Sequence, residues 1–484
     1  MSAGAAGWEG LLADADIGWH IRTGEWILDH HAVPHHDLYS FSKPDAPWYA
    51  WEWGSDVIFG LLHRTAGLKG VVLLAGVLIS LFAWTLLRRM VGAGVHLLWA
   101  MIVSLLGVGA ASIHFLARPH LFTLLFLSIA VWMIHIDREE SSARSARRLW
   151  LLVPLTIVWT NLHGGFLALI AVLGLTAVGI AIEAVIIGEP NGKPERANFR
   201  HAARYLALAA ACSAASLINP YGYRLHTHVF EYLRSDWIRN TIQEFQSPVF
   251  RNENILQFEA LMLIGLIAAG ALFKRRCIAE GLWIVYFAHM SLASVRHVPI
   301  FVTVCAPAIA IEVSDWWRNW TAGAKKSSLL GIVNQMSGDL ASSFQRISAW
   351  PFLLVGVLIA MGAPIKWPKD FPAVMFPTKI IHEHQAQILN ARLLTTDQWG
   401  DYLIYLNPRQ KVYIDGRSDF YGPEIGNQYL RMTGGQWDWE QIMQKNGFTS
   451  VLLPTEMPIC QLLKRDPAWR VEEDSGKTIL LIRR

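Results

Sequence analysis

The sequence has 484 residues, of which 53% are hydrophobic and only 17% charged, and its mean hydropathy is +0.30. Soluble globular chains carry about 25% charged residues. The deficit here is concentrated in long apolar runs, which is typical of a membrane protein and argues against a soluble domain. The net charge is only +4, and no basic stripe with interleaved aromatic residues occurs, so we expect no nucleic-acid partner.

Residues 1–69 precede the first long apolar run and are rich in acidic, His and Trp residues. Asp14 and Asp16 lie two positions apart, so they could share a divalent cation, or Asp16 could act as a base with Asp14 tuning its pKa. The competing interpretation is a solvated loop or a helix N-cap. Three further side chains are candidates for substrate contact: His20, Trp51 and Glu52.

Long apolar segments follow, and each is expected to cross a bilayer as a helix because backbone groups cannot stay unpaired in hydrocarbon. About ten such helices are predicted, at roughly 70–88, 93–111, 119–136, 149–161, 165–187, 203–218, 256–273, 279–294, 298–313 and 348–365. Lys and Arg gather in alternate connectors, which the positive-inside rule places in the cytoplasm. Residues 1–69 and everything after 366 are then extracytoplasmic.

The opposite connectors carry a different set of polar residues, and ionisable groups on several helix ends are costly unless they face a shared cavity. Arg offers a fork of donors suited to phosphate. The candidates for binding a donor phosphate are Arg118, His120, His163, Arg224, Arg296 and His297. The candidates for other substrate contacts on this face are Asn161, Tyr221 and Glu244. For any single residue, snorkelling to lipid headgroups is an equal alternative.

Residues 366–484 alternate short strand-like runs with helical patterns, which predicts a small α/β domain. Strands are expected at 392–396, 411–414, 450–453 and 478–482, and helices at about 376–390, 423–432 and 437–446. Asp415 and Arg417 follow the second run. They are either substrate contacts or an ion pair that braces a strand end, and the two interpretations are equally supported. The sequence thus predicts a 1–69 loop, a 70–365 transmembrane domain and a 366–484 extracytoplasmic domain.

These features together resemble polytopic GT-C-type glycosyltransferases, which use polyprenyl-phosphate-linked sugars. Several motifs also resemble a group of bacterial membrane proteins over nearly the whole chain: Asp14-Ala-Asp16, Ala117-Arg118-Pro119-His120, Asn161-Leu-His163-Gly-Gly165, Asn219-Pro220-Tyr221-Gly222 and Ile414-Asp415-Gly416-Arg417. The resemblance implies a bacterial inner-membrane enzyme, a hexosyltransferase with Asp16 as base and Asp14 as its partner. Its donor would be a lipid-linked sugar and its acceptor a glycan, lipid or protein.

One departure concerns the start of the sequence. GT-C proteins place a helix before the acidic loop, whereas no apolar segment precedes Asp14 here. Either a first helix is missing from the sequence, or the N-terminus is outside or re-entrant.

Two other functions compete with sugar transfer. One is a non-catalytic membrane protein that binds or escorts a lipid-linked glycan or a secreted polymer. The other is a transporter, which ranks last because no internal repeat and no charge pair at mid-bilayer is evident.

Overall fold

A computed structural model describes residues 7–140, 142–187, 196–344, 366–389 and 391–484. The helix predicted at 348–365 lies outside the described residues. The helices before it are α1 (Asp16–His30), α2 (Trp53–Gly92), α3 (Leu97–Ala111), α4 (His120–Glu140), α5 (Ala143–Leu149), α6 (Leu152–Thr160), α7 (Phe166–Ile187), α8 (Arg196–Ala215), α9 (Tyr223–Arg234), α10 (Asp236–Thr241), α11 (Glu253–Lys274), α12 (Ile278–Ala293), α13 (Val298–Thr321) and α14 (Leu329–Phe344).

Six of the described helices are long and apolar enough to cross a membrane. They cover Trp53–Gly92, Leu97–His114, His120–Glu140, Phe166–Ile186, Ile255–Lys274 and Val295–Thr321. The polytopic helical fold is therefore confirmed, but the count of about ten is not. The run predicted as a span at 149–161 contains α6, which has only nine residues, and the apolar α12 has sixteen.

The segment predicted as a 1–69 loop contains α1 and the first part of α2. Gly67 interrupts α2 with φ of +63° and ψ of −158°, a backbone conformation that is essentially restricted to glycine. The kink separates an outer segment of α2 from its long apolar segment. It lies close to position 69, where the sequence pattern predicts the membrane domain to begin.

The basic connectors meet at one end of the helical bundle. Arg138 of α4 donates from Nε to Glu280 Oε1 at 2.5 Å and lies 3.2 Å from Glu183 Oε1 of α7. Arg275 lies 3.2 Å from Asp315, at the ends of α11 and α13. These residues lie at or near helix ends that the charge pattern assigns to one side, so their contacts agree with the predicted alternation. The acidic segment and the C-terminal domain lie at the other end.

The C-terminal domain is built on a four-stranded sheet in the order β1-β2-β4-β3. The strands are β1 (Leu393–Leu394), β2 (Ser450–Pro454), β3 (Trp469–Asp474) and β4 (Thr478–Arg483). β1 pairs parallel with β2, and β4 pairs antiparallel with both β2 and β3. The described helices of this domain are Thr378–Glu383, Gln385–Ile388, Asp397–Leu406, Ser418–Thr433, Trp439–Asn446 and Pro458–Leu463. The predicted α/β character is confirmed.

Two details of this domain differ from the sequence pattern. Residues 411–414 do not join the sheet, because Val412 instead forms a parallel bridge with Ser40 of the N-terminal segment. The strand β3, Trp469–Asp474, is absent from the prediction since three consecutive acidic residues obscure its alternation. It lies at the sheet edge, where charged side chains remain in water.

Candidate functional site

The side chain of Arg118 is the centre of the site. It lies in the connector between α3 and α4, and three carboxylates reach it from two other parts of the chain. Its Nη1 lies 2.7 Å from Asp14 Oδ2 and 3.1 Å from Glu244 Oε1, and its Nη2 lies 2.6 Å from Asp16 Oδ2. Asp14 also accepts from the Asp16 backbone N–H at 3.0 Å. The acidic pair and the cationic helix ends therefore meet at one place.

Asp16, the first residue of α1, is only 5% exposed and is enclosed by the C-terminal domain. Gln398 donates from Nε2 to Asp16 Oδ1 at 3.3 Å and accepts from the Ala15 backbone N–H at 2.8 Å. Gly416 packs so closely that a Cβ there would lie 2.0 Å from Asp16 Oδ1. Its own N–H donates to both carboxylate oxygens of Asp401, at 3.0 and 3.1 Å. Asp16 is thus held in one orientation.

Burial raises the pKa of Asp16 well above its ordinary value, and the nearby Arg118 opposes this rise. Burial also raises the pKa of Asp401, and the charge of Asp16 raises it further. The two carboxyl groups are hydrogen-bonded to each other. Two close buried acids cannot both ionise at low cost, so they share one proton. A buried carboxylate with a raised pKa is a stronger base than an exposed one.

Two cavities adjoin Arg118. The larger, about 630 Å³, is the acidic cavity, because five carboxyl residues line it: Asp14, Asp16, Glu244, Asp397 and Asp415. The smaller, about 290 Å³, is the basic cavity, because six His and Arg residues line it: His114, Arg118, His120, His163, Arg296 and His297. Arg118, Tyr232 and Glu244 line both cavities and form their common wall.

The basic cavity is polar at one end and apolar at the other. Its polar wall includes Arg296, whose Nη1 is buried and has no hydrogen-bond partner among the described residues. The Arg296 guanidinium also lies 4.3 Å from the Phe245 ring centroid. The apolar wall comes from α7, α12 and α13, including Leu167, Phe287 and Ile300. A buried donor without an acceptor favours an anionic ligand, and the apolar wall favours one with a hydrocarbon portion.

A series of buried ionisable groups extends behind the basic cavity. His163 Nδ1 accepts from the Gly165 backbone N–H at 2.9 Å, so its proton resides on Nε2, which lies 3.6 Å from Glu52 Oε1. The other oxygen of Glu52 lies 3.6 Å from His20 Nε2. Burial raises the pKa of Glu52 to about 8, and burial lowers the pKa of His163 to about 3. At neutral pH both groups are therefore uncharged, and only Arg side chains supply firm positive charge to the cavity.

Some of the predicted substrate residues are engaged in bracing the protein. His20 is buried and lies 2.5 Å from Asp56 through Nδ1. The Asn161 amide oxygen accepts from Trp53 Nε1 at 2.8 Å. The Tyr221 hydroxyl donates to Pro34 O at 3.0 Å and accepts from the Ala50 N–H at 2.8 Å. Trp51, in contrast, lines the basic cavity. None of the three bracing side chains lines either cavity described above.

Arg224 and Arg417 also lie apart from the cavities. Arg224 is exposed near the start of α9 and lines neither of them. Arg417 is buried and pairs with Asp415 Oδ2 at 2.6 Å and with Asp37 Oδ1 at 2.9 Å. The Asp415 carboxylate also accepts from the Tyr421 hydroxyl at 2.7 Å. Of the two interpretations of the Asp415–Arg417 pair, the geometry matches the bracing ion pair, although Asp415 also borders the acidic cavity.

Several site residues have no signal in the sequence pattern. Gln398, Asp397 and Tyr232 line the acidic cavity but belong to no motif. Gln398 contacts Asp16 across 382 positions of sequence, a separation that no local pattern reports. His114 has a weak signal, because it precedes Arg118 and His120 in the same short connector.

The predicted divalent cation at Asp14 and Asp16 can be tested against these groups. Among the described residues, no group of three or more His, Cys, Asp or Glu side chains is placed to hold a metal ion. The carboxylates that converge do so on a guanidinium. A divalent ion about 4 Å from that guanidinium would be repelled by about 8 kcal/mol at an effective dielectric constant of 20. The residues present therefore do not fit a metal ion while Arg118 holds its observed position.

No protein-family model matches the sequence. No curated protein matches it in a sequence comparison either.

Comparison of the fold with solved structures gives clear similarities. The oligosaccharyltransferase AglB from Archaeoglobus fulgidus, in complex with an inhibitory peptide and a dolichol-phosphate, is 13% identical with a TM-score of 0.56, and the match covers 93% of this chain. Its apo form is 12% identical with a TM-score of 0.55 over 92% of this chain. The form tethered to an acceptor peptide containing the NVT sequon is 14% identical with a TM-score of 0.52 over 93%.

The chain spans 66% of the length of each of these archaeal proteins. At 12–14% identity the likeness concerns the fold alone. The chain thus shares its fold with archaeal oligosaccharyltransferases, and the GT-C-like architecture predicted from its motifs is confirmed.

Proposed function

We propose that this protein is a membrane glycosyltransferase that moves a sugar from a polyprenyl-phosphate-linked donor to an extracytoplasmic acceptor. One observation carries the proposal: an acidic cavity and a basic cavity adjoin each other across a wall formed by Arg118, Tyr232 and Glu244. A transfer reaction needs two substrates that meet at one point. The two cavities differ in charge in the way that an acceptor hydroxyl or amide and a donor phosphate require.

On the acceptor side, Asp16 is the proposed base and Asp14 its partner. The acceptor lies in the acidic cavity and its nucleophilic oxygen or nitrogen attacks the anomeric carbon of the donor sugar. The proton passes to Asp16, the new glycosidic bond forms, and the bond from the anomeric carbon to the phosphate oxygen breaks with inversion. The raised pKa of Asp16 suits it to accept this proton.

On the donor side, the basic cavity holds the phosphate that leaves. Arg118 and Arg296 supply positive charge as the phosphate gains negative charge, and His120, His163 and His297 supply further hydrogen-bonding groups. The apolar wall from α7, α12 and α13 accommodates the first part of the polyprenyl chain. Arg224 takes no part in this assignment because it lies outside the cavity.

The similar archaeal structures support this assignment of substrates. One contains a dolichol-phosphate and an inhibitory peptide, and another has an acceptor peptide tethered to it. For this chain the acceptor class is a glycan, lipid or protein. The proposed location is the extracytoplasmic face of a bacterial inner membrane, which rests on the basic connectors at the far end of the bundle.

The proposal is tested with the full chain in lipid nanodiscs and a panel of decaprenyl-phosphate-linked hexoses. Release of decaprenyl phosphate is measured, because this product forms whatever the acceptor. Asp16→Asn is expected to lower release by roughly 10²- to 10⁴-fold, the usual contribution of a general base, while decaprenyl phosphate still binds. A matched control is Asp236→Asn, whose carboxylate is exposed on α10.

A second measurement examines the basic cavity. Arg296→Ala is expected to weaken binding of decaprenyl phosphate by at least about tenfold, as loss of one charge-assisted contact does, and to leave binding of decaprenol unchanged. Arg224→Ala is its control. If the wild type binds decaprenyl phosphate but releases none from any donor, and Asp16→Asn changes nothing, the protein is instead a non-catalytic carrier of a lipid-linked glycan.

A further inference from the structure

We infer that the guanidinium of Arg118 is the built-in cation of this site and occupies the place between Asp14, Asp16 and Glu244 that a divalent metal ion would otherwise take. The inference deepens the proposed function, on which it rests for the identity of the site. It predicts a glycosyltransferase site that needs no divalent metal.

The contact geometry of Arg118 is the first support. Asp14 and Asp16 belong to one segment and Glu244 to another, yet each places an oxygen 2.6–3.1 Å from a guanidinium nitrogen of Arg118. These are charge-assisted hydrogen-bond distances. Metal-bound oxygens converge on a single point at about 2.0–2.6 Å, whereas these oxygens are spread around the planar fork of one side chain.

The charge balance is the second support. Burial opposes the charge on Arg118, but Asp14, Asp16 and Glu244 together raise its pKa well above the ordinary value, so it stays protonated. The charge of Arg118 in turn lowers the pKa of Glu244 against the effect of burial. The acid groups therefore already have a permanent counter-charge, and a divalent ion would have to displace it.

The backbone around Arg118 is the third support, because it fixes where the guanidinium can lie. The preceding Ala117 donates its N–H to Leu11 O at 2.8 Å. Leu11 belongs to the short 3-10 helix Gly7–Leu12, directly ahead of Asp14 and Asp16. Pro119 follows and restricts the backbone on the other side. The segments that carry the base and the cation are therefore tied together, and Arg118 does not leave with a mobile loop.

The arrangement also explains how one residue serves both cavities. The contacts with the three carboxylates are made by Nη1 and Nη2 of Arg118. The same side chain lines the basic cavity, where the leaving phosphate is proposed to bind. A guanidinium can orient the base and hold the leaving phosphate at the same time, a task that otherwise falls to a metal ion.

The test titrates Mn²⁺ against the full chain in nanodiscs and follows free Mn²⁺ by electron paramagnetic resonance. The wild type is expected to show no saturable site up to about 1 mM, the weak limit of oxygen-ligand sites. Arg118→Ala is expected to gain one site with a Kd on the order of 10⁻⁴–10⁻³ M, and Arg118→Ala combined with Asp16→Asn to lose it. Arg224→Ala, which removes an exposed arginine, should behave as the wild type.

Wild-type behaviour alone can overturn the inference, whether or not Arg118→Ala folds. A single Mn²⁺ site in the wild type that disappears in Asp16→Asn would show that a metal displaces Arg118. Arg118→Lys keeps a positive charge and is expected to gain no Mn²⁺ site, and a gain would also count against the inference. None of these results depends on sugar transfer, so failure here is distinguishable from failure of the proposed function, which decaprenyl phosphate release reports.

Discussion

Replacement of Arg417 by Met should weaken the contact between the C-terminal domain and the acidic segment, and Arg417 itself lines neither cavity. Arg417 donates from Nε to Asp415 Oδ1 at 2.8 Å and from Nη2 to Asp415 Oδ2 at 2.6 Å and Asp37 Oδ1 at 2.9 Å. All three residues are buried, and Arg417 also lies 4.6 Å from the Trp48 ring centroid. Removal of one partner from a buried ion pair costs about 3–5 kcal/mol, because the remaining carboxylates lose their counter-charge.

This loss of stability is best measured at the backbone contact that joins the N-terminal acidic segment to the C-terminal domain. Phe41 donates its N–H to Val412 O, and Val412 donates its N–H to Tyr39 O, each at 2.9 Å. Hydrogen exchange of peptides that contain these amides reports the free energy of opening. A loss of about 3–5 kcal/mol corresponds to exchange faster by on the order of 10²- to 10⁴-fold, where opening of this contact governs exchange.

Two further variants complete the experiment. Arg409→Met removes an exposed arginine from the same domain and should leave exchange unchanged. Arg417→Lys keeps the charge but not the two-pronged contact with Asp415, so an intermediate effect is expected. Unchanged exchange in Arg417→Met, together with weaker binding of decaprenyl phosphate, would refute the bracing role and restore Arg417 as a ligand-binding residue.

Three other outcomes are expected. Between pH 5 and 7 the unfolded chain ionises Glu52 while the folded chain, with a pKa of about 8 for this group, keeps it protonated. The stability that Glu52→Gln gains over the wild type, followed by thermal unfolding, should therefore rise from about 1 kcal/mol at pH 5 to about 3 kcal/mol at pH 7 and level off above pH 8. Transfer requires ionised Asp16, and Asp14 raises its pKa, so Asp14→Asn should move the acid limb of kcat/KM to lower pH; an unmoved limb would argue against Asp16 as the base. Gly416→Ala would place Cβ 2.0 Å from the Asp16 carboxylate and should lower transfer at least about tenfold, whereas Gly338→Ala, with open space around it, should change nothing.

The membrane architecture follows from local properties of the sequence. Apolar runs of sufficient length become helices wherever the backbone must satisfy its own hydrogen bonds, so the described spans lie near their predicted positions. The predicted span 149–161 is not confirmed, because the described helix α6 within it has only nine residues. Length and composition alone do not show whether an apolar helix as short as α6 crosses a bilayer.

The site was predicted in part. The residue types and the shared face of Asp16, Arg118 and Arg296 are evident from the charge pattern. Arg224 has the same chemistry and the same face, yet it is exposed. The difference between Arg224 and Arg296 depends on how each helix end is rotated and packed, which sequence periodicity does not report.

By itself, the sequence determined that the chain crosses a membrane, which helix ends share a face, and that an acidic pair lies on that face. The patterns of hydropathy and charge are evident over one or two helical turns, so these properties can be recognised from the sequence without knowledge of the fold. Only the tertiary structure decided which carboxylates surround Arg118, that Gln398 and Gly416 hold Asp16, and that Arg417 braces instead of facing a cavity. Those contacts join residues between about 100 and 400 positions apart, and only the packing of complete helices and domains brings them within hydrogen-bond distance.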